Sequence, residues 1–179
     1  MLLGLALLVC GRCEAEDRAV SEYQVKAAFL YNFTKFVIWP KEAFATNNSP
    51  LTIGIVGDDP FGKSLDDVVR GEQISGHPLI VKRFRLDQDF TGCQLLFASR
   101  SIKDDLNTFV RQVGHRPILT IGDTAGFGRQ GVMATLLLVN GNIKMEINRN
   151  AAEMAGLQIS AKLLGLARIV ESDRGVFEP

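Results

Sequence analysis

The clearest pattern of apolar and polar positions lies in residues 117–170, where two apolar runs flank Asn140-Gly141. Asn-Gly supplies the positive φ angles that a two-residue type I′ turn needs. That turn sets Val139 opposite Asn142, and the rest of the register follows. Leu138 then faces Ile143, Leu136 faces Met145 and Ala134 faces Ile147, all on one face. Leu137 with Lys144 and Thr135 with Glu146 make the other face. One apolar and one mixed face describe an antiparallel hairpin that covers a core on one side.

Beyond the hairpin, Ala152, Ala155, Ile159, Leu163, Leu166 and Val170 recur at steps of three and four, an amphipathic helical stripe. Gly156 fits a position just past a helix end and Ser160 fits an N-cap, so the stripe divides into two helices over 149–155 and 161–170. Ser160 has no nearby histidine and no G-x-S-x-G elbow, so it reads as a cap rather than a nucleophile.

Earlier in the chain, Ser21-Glu22-Tyr23-Gln24 has the form of a capping box, with Val20 and Val25 at the staple positions. The helix that follows is apolar round most of its girth, through Ala27, Phe29, Leu30, Phe33 and Phe36, and is expected to be buried or shared with a partner. Trp39-Pro40 ends it. Apolar runs over 51–56, 79–84, 94–98 and 117–121 predict strands. Helices are expected over 59–70, with Asp59 as N-cap, and over 102–113. The alternation followed by a hairpin predicts an α/β fold: a three-layer sandwich with a mixed, partly parallel six-stranded sheet and helices on both faces.

Charge and cysteine usage narrow the function. Twenty basic residues balance twenty acidic ones without clustering, which offers no footprint for nucleic acid or an anionic membrane. Residues 2–9 form an apolar h-region too short to span a bilayer, and Cys13-Glu14-Ala15 places small residues for cleavage after Ala15. The expectation is a signal peptide over 1–15 and a single periplasmic domain over 16–179. Cleavage leaves Cys93 as the only cysteine, a buried thiol with no internal disulfide.

Gly57-Asp58-Asp59-Pro60-Phe61-Gly62-Lys63-Ser64 matches the phosphate-binding G-x-x-x-x-G-K-[ST] motif. The chemistry opposes that reading. The cradle works through backbone N–H groups, which Pro60 lacks, and Asp58 and Asp59 would repel a polyphosphate. His77 and His115 read as surface loop residues, without metal-ligand spacing to any Cys, Asp or second His. No paired carboxylates or Ser/His constellation supports an enzyme, and no catalytic residue, metal or cofactor is expected.

Several motifs together are more specific. Val25-Lys26-Ala27-Ala28-Phe29-Leu30-Tyr31-Asn32-Phe33 with Trp39-Pro40, Gly57-Asp58-Asp59-Pro60-Phe61-Gly62, Gly92-Cys93-Gln94-Leu95-Leu96-Phe97 and Ile118-Leu119-Thr120-Ile121-Gly122-Asp123 resemble segments of the YfiR family. So do Glu146-Ile147-Asn148, Ala155-Gly156-Leu157-Gln158-Ile159-Ser160 and Leu163-Leu164-Gly165-Leu166-Ala167-Arg168. The resemblance implies a non-enzymatic periplasmic regulator that represses an inner-membrane diguanylate cyclase through the cyclase's periplasmic sensor domain. It further implies lowered cyclic di-GMP, restrained biofilm formation, a homodimer, and release by an outer-membrane lipoprotein. Members often carry a cysteine at the position of Gly54, so control through a bridge to Cys93 is not expected here. The partner contact is expected on the 123–133 loop and the start of the last helical region, at Phe127, Arg129, Asn148, Arg149 and Met154. A periplasmic small-ligand-binding protein with its pocket near Asp58 or Asp123 is the alternative.

Overall fold

The structure, a computed structural model, describes residues 10–173, with side chains in the first helix described from Glu22 onward. The hairpin forms in the register that its turn dictates. Asn140 and Gly141 take φ angles of +51° and +75°, and strands β7 (Ala134–Val139) and β8 (Asn142–Asn148) pair from Val139 with Asn142 to Ala134 with Ile147.

Around this hairpin the chain builds a mixed sheet. β2 (Leu51–Val56), β4 (His77–Phe84), β5 (Leu95–Ala98) and β6 (Leu119–Gly122) join β7 as successive parallel neighbours in the order β4-β2-β5-β6-β7. Every residue of β2, β5 and β6 is buried, as parallel strands covered on both faces must be. Alternation sorts their side chains into two cores. Ile53, Ile55, Leu95, Phe97, Leu119 and Ile121 meet α1 (Cys10–Phe36), α2 (Lys63–Val69) and α4 (Arg149–Met154). Val56, Leu96 and Ala98 meet α3 (Leu106–Val113) through Leu106, Phe109, Val110 and Val113. The three-layer α/β architecture is therefore as predicted.

The sheet has eight strands rather than six. β3 (Gln73–Ile74) extends one edge, antiparallel to β4. At the other edge the expected helix over 161–170 is corrected. α5 (Ala161–Leu164) stops at Gly165, and β10 (Arg168–Val170) lies parallel to Glu146–Asn148. Leu166, assigned to the apolar stripe, is 79 % exposed. A separate ladder, β1 (Val37–Ile38) with β9 (Gln158–Ile159), ties the end of α1 to the segment between α4 and α5. This pairing ends α1 at Phe36, ahead of Trp39-Pro40.

The starts of two helices also differ from expectation. Helical backbone runs through Ser21, so that residue is not an N-cap, and the apolar stretch 2–9 lies outside the described residues. α2 begins at Lys63 because Asp59 is spent on a turn: its Oδ1 accepts the Phe61 N–H at 2.7 Å. His77 opens β4 instead of lying in a loop. Its ring stacks on Phe44 at 3.9 Å, and Nδ1 lies 2.6 Å from the Ser49 carbonyl. Gly54 is tightly framed, since a Cβ there would come within 2.6 Å of the Leu96 side chain. Cys93 is buried, and burial pushes its thiol up to about 11.

Candidate partner-binding surface

The five residues expected at the contact divide by burial. Asn148 is fully buried and caps α4: its Oδ1 accepts the Ala151 N–H, and its Nδ2 donates to the Gly128 carbonyl and Ser172 Oγ. Phe127, 2 % exposed, lies over Gly122, where a Cβ would meet its ring at 2.5 Å. Both are corrected from contact residues to framework. A glycine at 122 that leaves room for the ring, and an Asn just before a helix, were the signals that pointed to these roles. Arg129, Arg149 and Met154 are exposed. Arg149 Nε pairs with Glu153 at 2.6 Å along one face of α4.

Beneath that surface, at the carboxyl ends of the parallel strands, lies a buried polar cluster the sequence did not announce. Lys26 is fully buried, and its Nζ meets Asp123 Oδ2 at 3.0 Å and Glu22 at 2.5 Å. Tyr23 donates its hydroxyl to the same Oδ2 at 2.7 Å. Burial, reinforced by that hydrogen bond, raises the Tyr23 phenol well above the ordinary tyrosine range. Asp123 Oδ1 and Thr124 Oγ1 are buried without a protein partner among the described residues. Asp123 thus anchors α1 to the end of β6, where sequence alone offered it as a ligand contact.

The phosphate-loop match folds as a packed corner. The Arg83 guanidinium engages Asp59 and Asp66 and donates to the Gly62 carbonyl. The hydrogen bond from Arg83 holds the Asp66 carboxyl below the usual range. Phe61 is buried edge-on to Tyr23 and Phe97, while Asp58 stays exposed. Among the described residues, no group of His, Cys, Asp or Glu could hold a metal ion.

The outer side of α1 is where apolar surface remains open. Ala27, Leu30 and Phe33 are fully buried, yet Val25, Phe29, Asn32 and Phe36 recur at four, three and four residues on another face. Val25 is 44 % exposed and Phe36 36 %. Between that stripe, the hairpin and α5 runs a groove of about 610 Å³, lined by Phe29, Phe36, Leu137, Ile143, Leu163 and Leu166 among others. A second hollow of about 760 Å³ continues past Ile143 to Val25 and the hairpin tip. A groove rimmed by polar groups and floored by apolar side chains is the form an interaction surface takes. No described helix is long and apolar enough to cross a membrane.

Comparison with known proteins agrees with this architecture. Among solved structures, the ABC domain from Streptococcus pneumonia in complex with L-Trp superposes with a TM-score of 0.53 at 12 % identity, over 83 % of this chain and 60 % of its own. A conserved domain protein from Vibrio cholerae gives 0.47 at 14 % identity, over 66 % of this chain and 54 % of its own. This chain therefore spans less than two thirds of either structure, and the first shows a shared fold alone. No curated protein matches. The model of a family described as YfiR/HmsC-like matches residues 23–168. That span runs from the tyrosine anchored on Asp123 to the first residue of β10 and takes in the rest of the sheet between them, so the chain belongs to the YfiR/HmsC-like family.

Proposed function

We propose that the protein is a periplasmic regulator that represses an inner-membrane diguanylate cyclase by binding the cyclase's periplasmic sensor domain, thereby lowering cyclic di-GMP and restraining biofilm formation. The observation that carries this reading is the family match over residues 23–168. The protein acts by contact and not by catalysis. Residues 1–15 serve as the signal peptide, the mature domain works as a homodimer, and an outer-membrane lipoprotein relieves the block. Exposed Arg129, Arg149 and Met154 contribute to the contact, with the flexible thioether of Met154, 50 % exposed, adapting to the partner.

Deleting the gene is expected to raise cyclic di-GMP and surface attachment, with no such effect in a strain that also lacks the cyclase. Met154→Asp is expected to relieve repression while the folded protein still accumulates in the periplasm. Unchanged cyclic di-GMP on deletion would overturn the function, whereas a folded Met154→Asp protein that represses normally would move the contact elsewhere.

A further inference from the structure

β8 is longer than the strand that covers it. β10 pairs only with Glu146–Asn148, so Asn142–Met145 has no strand on its outer side among the described residues. The direction of its backbone groups follows from the ladder. Asn148 donates its N–H toward the β7 side, to Met133, and the alternation of an antiparallel pair gives residues 142, 144 and 146 the same sense. Ile143 and Met145 therefore turn their N–H and C=O groups outward.

The groove straddles this open edge. Phe29, Phe36, Leu163 and Leu166 stand on one side of the sheet, and Leu137 and Val139 on the other. An extended chain laid along the edge would bury alternate side chains in both rows while its backbone completed the ladder. The edge is about 13 Å long at ~3.3 Å per residue, enough for a short strand.

Charge decides the occupant. Arg168 is committed to Glu146, leaving exposed Lys144 without an ion-pair partner among the described residues. In the register that uses the whole open edge, with Ile143 paired to Met145, a second copy added about a two-fold axis would bring Lys144 against Lys144, a like-charge juxtaposition that cross-strand pairing disfavours. A different chain carrying a carboxylate suits the edge. We infer that the outer edge of Asn142–Met145 accepts, as an added strand, an extended apolar segment bearing an acidic side chain from the periplasmic domain of the regulated cyclase. This rests on the proposed function and names how the partner is held. It adds a second contact, on the far side of α5 from Arg149: Leu163 lines this groove, and Leu164 lines the hollow that contains Arg149.

The test uses the full mature protein with the purified periplasmic domain of the cyclase as probe. Binding is expected to slow amide exchange at Ile143 and Met145 tenfold or more. Lys144→Glu is expected to weaken binding at least tenfold, and a reciprocal acidic-to-lysine change on the cyclase to restore it. Ile143→Pro removes an outward N–H without removing a hydrogen bond of the β7 ladder, and is expected to do the same at some cost in melting temperature from lost core packing. Should that proline disturb folding, Lys144→Glu at an exposed side chain decides the matter. Tight binding without protection at these amides, or unaffected by Lys144→Glu, would overturn the edge contact and leave the function standing. Protection that grows with protein concentration in the absence of cyclase would give the edge to a second copy and overturn the inference. A cyclase domain that does not bind at all, together with unchanged cyclic di-GMP on deletion, would overturn the function and this occupant with it.

Discussion

Lys26 carries its ammonium group into an interior it could enter only with company. Asp123 and Glu22 supply that company, and Tyr23 closes over the same Asp123 oxygen. Removing one member leaves an uncompensated buried charge, so Asp123→Ala is expected to cost about 3–5 kcal/mol, read by chemical denaturation. Tyr23 adds a pH dependence whose sign is fixed. Its pKa is raised, so its contribution is intact below the ordinary value of 10.0 and is lost only as pH climbs through the higher folded value. An absorbance titration is expected to show Tyr23 ionising late, with the late step absent in Tyr23→Phe. None of this was legible beforehand. The partners lie on α1 and at the end of β6, and local pattern gives no sign that a lysine inside an apolar helix meets a distant aspartate. Asn148 and Phe127 failed differently: their local signals were capping and packing on glycine, and both were read for exposure.

At the scale of the element, the hairpin was the most legible part because its turn fixes its register. Leu136 is fully buried and Leu137, on the opposite face, only half so. Leu136→Asp is expected to unfold the domain, at a cost above ~4 kcal/mol. Leu137→Asp is expected to stay folded with a lower melting temperature, and equal melting of the two would contradict the register. The last third was less legible. Leu163, Leu166 and Val170 keep helical spacing over too few residues to exclude a short helix followed by a strand. Gly165 was the available stop signal. What decided for a strand was the edge of β8, a tertiary fact that spacing along the chain does not contain.

At the scale of the molecule, two cores share one sheet. Phe33 belongs to the core under α1 and Phe109 to the core under α3, both fully buried. Each strand of the centre presents side chains to both, so neither core can melt alone. Phe33→Ala and Phe109→Ala are each expected to cost about 3–5 kcal/mol and to shift a single calorimetric transition. Two separable transitions would show that the faces are independent. The layered architecture was legible from strand–helix alternation, while strand order and the open edge were not, because sequence order does not say which strands are neighbours.

The small ladder of β1 with β9 has a consequence for the order in which the protein is made. Val37 pairs with Ile159, so the first helix gains its last fastening only when nearly the whole chain is available. Synthesis proceeds from the N-terminus at ~5–20 residues per second. For several seconds, then, an apolar helix is present before the hairpin that will cover it. Its inner stripe, Ala27, Leu30 and Phe33, is a hazard during that interval and a seam afterwards. The nascent chain is therefore expected to gain more from a holding factor than its finished stability would suggest, and moving the helix to the other end of the chain by circular permutation is expected to shorten the wait.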